Sequence, residues 1–147
     1  GMKARLMGMV LVAVCLIGSC TGCDSELSSR DVTQDRAILT AERWVAQESY
    51  TVDSELWGVL CIVAVDDAPD DYQVTIYANP TSIRSIHSGT IAYEGSAVIM
   101  TTLVGGISAN YSLKITQGND GATVLTLTDS LANKMFYSPE NTLAPRS

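Results

Sequence analysis

Over most of its length the chain alternates apolar and polar residues with the two-residue period of a β-strand. Ile107 to Thr116 is the clearest stretch, with Ile107, Ala109, Tyr111, Leu113 and Ile115 facing one way and Ser108, Asn110, Ser112, Lys114 and Thr116 the other. One face is buried and the other wet. Tyr72 to Ala78 alternates in the same way, and Leu56 to Val65 is apolar on both faces. Further strands are predicted at Ile83 to His87, Thr90 to Glu94, Ala97 to Val104, Thr123 to Asp129 and Lys134 to Tyr137. Turn chemistry separates them: Asp66 to Asp71 around Pro69, Asn79-Pro80, Gly105-Gly106, and Gln117 to Gly121. These residues preset φ, tolerate positive φ or bond to nearby amides.

The segment from Asp31 to Tyr50 fits two periods. Ala37, Ile38, Ala41, Trp44 and Val45 fall at helical spacing, whereas Trp44, Ala46, Tyr50 and Val52 alternate from Arg43 onward. A short helix over about residues 32 to 41 followed by a strand over about 42 to 52 satisfies both. About nine short strands with hairpin-length links predict a mainly β, antiparallel domain. It is a small β-barrel of about eight or nine strands, or a sandwich, with a short N-terminal helix. A barrel also removes exposed strand edges.

The N-terminus follows another logic. Lys3 and Arg5 precede twelve uncharged residues, Leu6 to Ile17, and then small or polar residues to Cys23. That is a secretory signal pattern, too short for the roughly twenty apolar residues that cross a bilayer. The expected organisation is a signal and processing region at 1–22, a tether at 23–30, one β-domain at 31–139 and a polar tail at 140–147. Removing Lys3 and Arg5 takes the formal charge from −7 to −9. So acidic a chain has no basic stripe for nucleic acid, and a 46% apolar composition excludes disorder. Cys15 leaves with the signal, and Cys61, in an apolar strand, reads as a buried free thiol. No C-x-x-C redox or zinc site is expected.

Ile17-Gly18-Ser19-Cys20 resembles the lipobox of bacterial lipoproteins, and Cys20-Thr21-Gly22-Cys23 is a second register without the aliphatic residue. The resemblance implies a diacylated Cys20, or alternatively Cys23, and a domain held in the bacterial cell envelope by an N-terminal lipid. Two acyl chains suffice for stable anchoring. Ala37 to Val52, with its helical turn, Leu39-Thr40 step and strand-opening Trp44, resembles the start of bacterial lipocalin-like lipoproteins. Ser108 to Ile115 and Leu125 to Asp129 are similar to late strands of that group. This resemblance covers about a third of the mature chain. The Phe-x-x-Asp-Gly-Thr segment of the group is missing, and Ser108-Ala109-Asn110-Tyr111 stands for its Gly-Thr-aromatic step. It implies a barrel closed at one end by Trp44.

Catalytic chemistry has little to work with. His87 is the only histidine, and neither Ser85 nor Ser88 lies on a nucleophile elbow. It reads as a surface or edge histidine, and no enzyme activity or cofactor is expected. Asp66, Asp67, Asp70 and Asp71 place four carboxylates within six residues, enough oxygens to consider calcium, but their spacing is that of a solvated turn. Trp57, Tyr93, Tyr111 and Phe136 are the candidate lining of a ligand pocket, since barrels of about eight strands can hold one small molecule. Two functions therefore stand. One is a lipid-anchored barrel binding a small apolar ligand or serving as an envelope binding accessory. The other is a non-enzymatic envelope module with a filled core that recognises a protein partner. A cavity inside the barrel separates them.

Overall fold

The computed structural model of the protein describes residues 29–140. The signal region, Cys20, Cys23, most of the tether and the tail beyond Glu140 lie outside the described residues. Eight strands close into an antiparallel barrel. In chain order the elements are β1 (Arg30–Asp31), α1 (Arg36–Ala41), β2 (Trp44–Ala46), β3 (Thr51–Val52), β4 (Glu55–Leu56), β5 (Val59–Val65) and β6 (Ala68–Tyr77). They continue with β7 (His87–Glu94), β8 (Ala97–Val104), β9 (Ile107–Gln117), β10 (Thr123–Thr128) and β11 (Lys134–Pro139). The barrel runs β2-β5-β6-β7-β8-β9-β10-β11, each strand beside its sequence neighbour, and β11 pairs back on β2. β1 adds to β9 beyond the end of β8, with Arg30 opposite Gln117. β3 and β4 form a separate hairpin.

Register and alternation put the same set of side chains inward on every strand. Leu60 faces Trp44 and Ile76, Ile62 faces Val74, Tyr72 faces Ile91, and Met100 lies between Ile91 and Tyr111. Leu113 and Ile115 continue to Leu127 and Leu125, and these to Met135 and Tyr137. All belong to one buried cluster. Helix α1 covers one end of it: Leu39 is fully buried, and Trp44 Nε1 donates to the Leu39 carbonyl at 3.0 Å. We call this the helix end and the opposite end the mouth.

Five local expectations change. The helix begins at Arg36 rather than near 32, because the residues before it are committed elsewhere. Val32 N donates to Ile115 O, and the Asp31 carboxylate accepts from the amide and hydroxyl of Thr33. The strand expected over 42–52 stops at Ala46, and Thr51–Val52 instead turns through Asp53 and Ser54, both at positive φ, to pair with β4. The Asp66 to Asp71 turn shrinks to Asp66-Asp67. Pro69, Asp70 and Asp71 join β6 opposite a register shift between Ala64 and Val65, where a proline can sit without breaking a ladder. Ile83 to Ile86 is loop, since Asn79 accepts from Thr81 and from Ser82 to build a turn there, and pairing resumes only at His87 opposite Ile76. Cys61 is a free thiol, half-buried rather than buried.

Two carboxylates fasten the ends of the domain. Thr33 hydrogen bonds hold the Asp31 carboxyl below its ordinary range. The Arg43 guanidinium does the same to Glu140, with Arg43 Nε donating to Oε1 at 2.8 Å. A carboxyl whose pKa is lower folded than unfolded contributes stability above its unfolded pKa and loses it as pH falls through the folded one. Melting temperature is therefore expected to be level near neutrality and to fall below about pH 4. Asp31→Asn with Glu140→Gln should flatten that fall, and an unchanged profile would contradict the assignment.

Candidate functional site

The mouth is built from four connections. They are the β2–β5 crossing that contains the β3–β4 hairpin, the β6–β7 loop, the Gly105-Gly106 turn, and the β10–β11 loop from Asp129 to Asn133. The β3–β4 hairpin leans across the opening, where Asp53 is the nearest side chain to Gly105, 3.2 Å from its would-be Cβ. A depression of about 470 Å³ lies between this hairpin and the β10–β11 loop, with Tyr50, Val52 and Asp53 on one side, Asp129 and Lys134 on the other, and Tyr111 also in its lining. Asp129 organises its loop by accepting from the amides of Leu131 and Asn133, and these bonds with the Asn133 side chain hold its carboxyl below the usual range.

Beneath the mouth the barrel is corked by aromatics. Trp57 is fully buried, its ring 5.4 Å from Tyr111 and 5.8 Å from His87. Its carbonyl accepts the Tyr137 hydroxyl at 2.8 Å. Burial pushes the Tyr137 and Tyr111 phenols up, so both stay neutral. His87 corrects the surface reading: it starts β7 on the inward-facing side, 21% exposed, with Nε2 at 2.6 Å from Glu55 Oε1 of the hairpin. That contact lies outside hydrogen-bond geometry. Among the described residues, Trp57 Nε1 and His87 Nε2 are the buried side-chain nitrogens without a hydrogen-bond partner.

The other candidates scatter. Tyr93 is at the helix end, where its hydroxyl donates to Thr33 O at 2.8 Å, its ring lies 5.8 Å from Tyr72, and the Arg36 guanidinium sits 4.2 Å above it. Burial raises its pKa to about 12. Phe136 is on the outer wall, opposite Thr126. Of the four predicted lining residues, only Trp57 and Tyr111 meet, and they do so as packing. Asp70 pairs with Arg36, and among the described residues no three His, Cys, Asp or Glu side chains gather as metal ligands. Sequence reasoning missed Glu55 and the hairpin that carries it; Asp53-Ser54 between Thr51-Val52 and Glu55-Leu56 is the signal that marks it.

External depressions also include one of about 380 Å³ beside the β2–β5 crossing and one of about 200 Å³ between α1 and Pro139. None of these three is lined by Leu60, Ile62, Val74, Ile91, Met100 or Leu125, which fill the middle of the barrel. No family model, no curated protein and no solved structure matches the chain. The fold thus defines a class, the closed eight-stranded antiparallel β-barrel with a filled interior.

Proposed function

We propose that the protein is an exported, lipid-anchored envelope module of lipocalin-like type that acts without catalysis, by recognising another protein through its surface. The packed interior carries this reading. Inward side chains from all eight strands belong to one buried cluster, with Trp44 and Leu39 at one end and Trp57 at the other. A barrel of this size has room either for its own side chains or for one small ligand, and here the side chains take it. Binding of a small apolar ligand inside the barrel would require these residues to move apart.

Export and anchoring rest on the signal-like N-terminus and on the Ile17 to Cys20 sequence. Mass spectrometry of the membrane fraction tests them. The expected N-terminal peptide is acylated and begins at Cys20, with Cys23 the other permitted register. An unmodified chain in the soluble fraction would contradict the anchor.

A further inference from the structure

We propose that the mouth end is the docking surface, and that its partner is a protein presenting an apolar contact face edged by basic residues. This rests on the interaction reading above and specifies its site. Each of the four mouth connections carries an exposed aliphatic side chain at or beside its tip: Leu56 on the hairpin, Ile83 on the β6–β7 loop, Leu103 and Ile107 flanking Gly105-Gly106, and Leu131 on the β10–β11 loop. Ile83 is 94% exposed and Leu131 80%. The turns at the other end, Asp66-Asp67, Gly95-Ser96 and Gly118 to Ala122, carry no exposed large apolar residue; Val63 and Phe136 are on the barrel wall. A single exposed leucine is ordinary, but apolar tips gathered at one end are the pattern of an interaction site.

The tips are held in place. Asp129 fixes the Leu131 loop, the Asn79 turn precedes Ile83, and Glu55 of the hairpin meets His87 beside Leu56. A surface already ordered loses less freedom on binding.

Charge selects the occupant. The mouth connections carry Glu48, Asp53, Glu55 and Asp129 against Arg84, with Lys134 opening β11. An anionic lipid surface is repelled by such a rim, as is a second copy of the chain, whereas a basic protein surface is complementary. Direction agrees: β1 enters at the helix end, opposite the mouth, so a lipid tether leading into it leaves the apolar tips facing away from the anchoring membrane.

The test uses the full chain in its own envelope, with a photo-crosslinking residue in place of Leu131, Ile83 or, as the control at the helix end, Ser96. Protein adducts are expected from 131 and 83 and not from 96. The crosslinked protein, once identified and purified, should bind the wild-type domain with an affinity that falls as salt is raised. It should lose about tenfold or more with Leu131→Asp combined with Ile83→Asp, while Ser96→Asp leaves it unchanged and circular dichroism shows all variants folded. Protein adducts from 96 alone would overturn the docking surface and leave the interaction reading standing. Binding to anionic phosphatidylglycerol vesicles, or concentration-dependent self-association, abolished by the same two tip substitutions would make the occupant a membrane or a second copy and overturn the partner. No protein adduct from any of the three positions would overturn both the surface and the interaction reading.

Discussion

Trp57→Ala is expected to destabilise the domain by about 3–5 kcal/mol, the range for truncating a buried tryptophan, a large share of the roughly 5–15 kcal/mol that holds a typical domain folded. The ring is fully buried between Tyr111 and His87, and the barrel strands cannot close over the space it leaves without breaking their ladders. A second substitution separates volume from hydrogen bonding. Trp44 Nε1 donates to Leu39 O at 3.0 Å, whereas Trp57 Nε1 has no partner among the described residues. Trp44→Phe therefore leaves a buried carbonyl unpaired, at about 1–3 kcal/mol, in addition to the lost volume, while Trp57→Phe loses volume alone. Urea unfolding of the two should show the larger loss for Trp44→Phe. Equal losses would mean that the Trp57 indole is hydrogen-bonded after all.

Gly58→Ala is the second large effect. The glycine joins the mouth crossing to β5, donating to Tyr77 O at 2.9 Å and accepting from Ala46 N at 2.8 Å. A Cβ there would lie 2.1 Å from the Ala78 carbonyl oxygen, a backbone atom that cannot swing aside. Relieving the clash means parting β5 from β6 where the mouth hairpin departs. The expected cost is about 3 kcal/mol or more, at the upper end for overpacking. Gly95→Ala is the control: unlike Gly58 it holds a positive φ, +67°, but nothing lies within 4 Å of its Cβ, so it should cost only about 1 kcal/mol. Thermal melts that rank the two the other way would contradict this geometry.

The barrel was legible in the chain because alternation is a local signal that survives into the register. Tyr111, Leu113 and Ile115 read as one face from sequence and meet Met100, Leu127 and Leu125 as one layer. What was not legible came from contacts made across the barrel. The β5-to-β6 turn reads as four aspartates around Ala68-Pro69, yet Asp70 and Asp71 extend a strand because Asp70 has Arg36 of α1 to pair with. His87 alternates with Ile91 and Tyr93 on the inward side of β7, but a charged partner thirty-two residues earlier, Glu55, is invisible to periodicity. Trp57 and Tyr93, equal candidates by residue type, end at opposite ends of the barrel because one precedes β5 at the mouth and the other ends β7 near α1. The apolar tips follow the same rule: Leu56, Ile83 and Leu131 are far apart in the chain and share an end only because an up-and-down barrel sends alternate connections the same way.

Native mass spectrometry of the protein purified from its own envelope tests the central claim, a filled barrel that binds from its surface. The predicted spectrum, taken in conditions that dissociate protein partners, is a single species at the mass of the acylated chain. A stoichiometric small molecule that stays with the folded chain and leaves only when it unfolds would contradict the claim, because the space that Leu60, Ile91, Met100 and Leu125 occupy would then have to belong to a ligand.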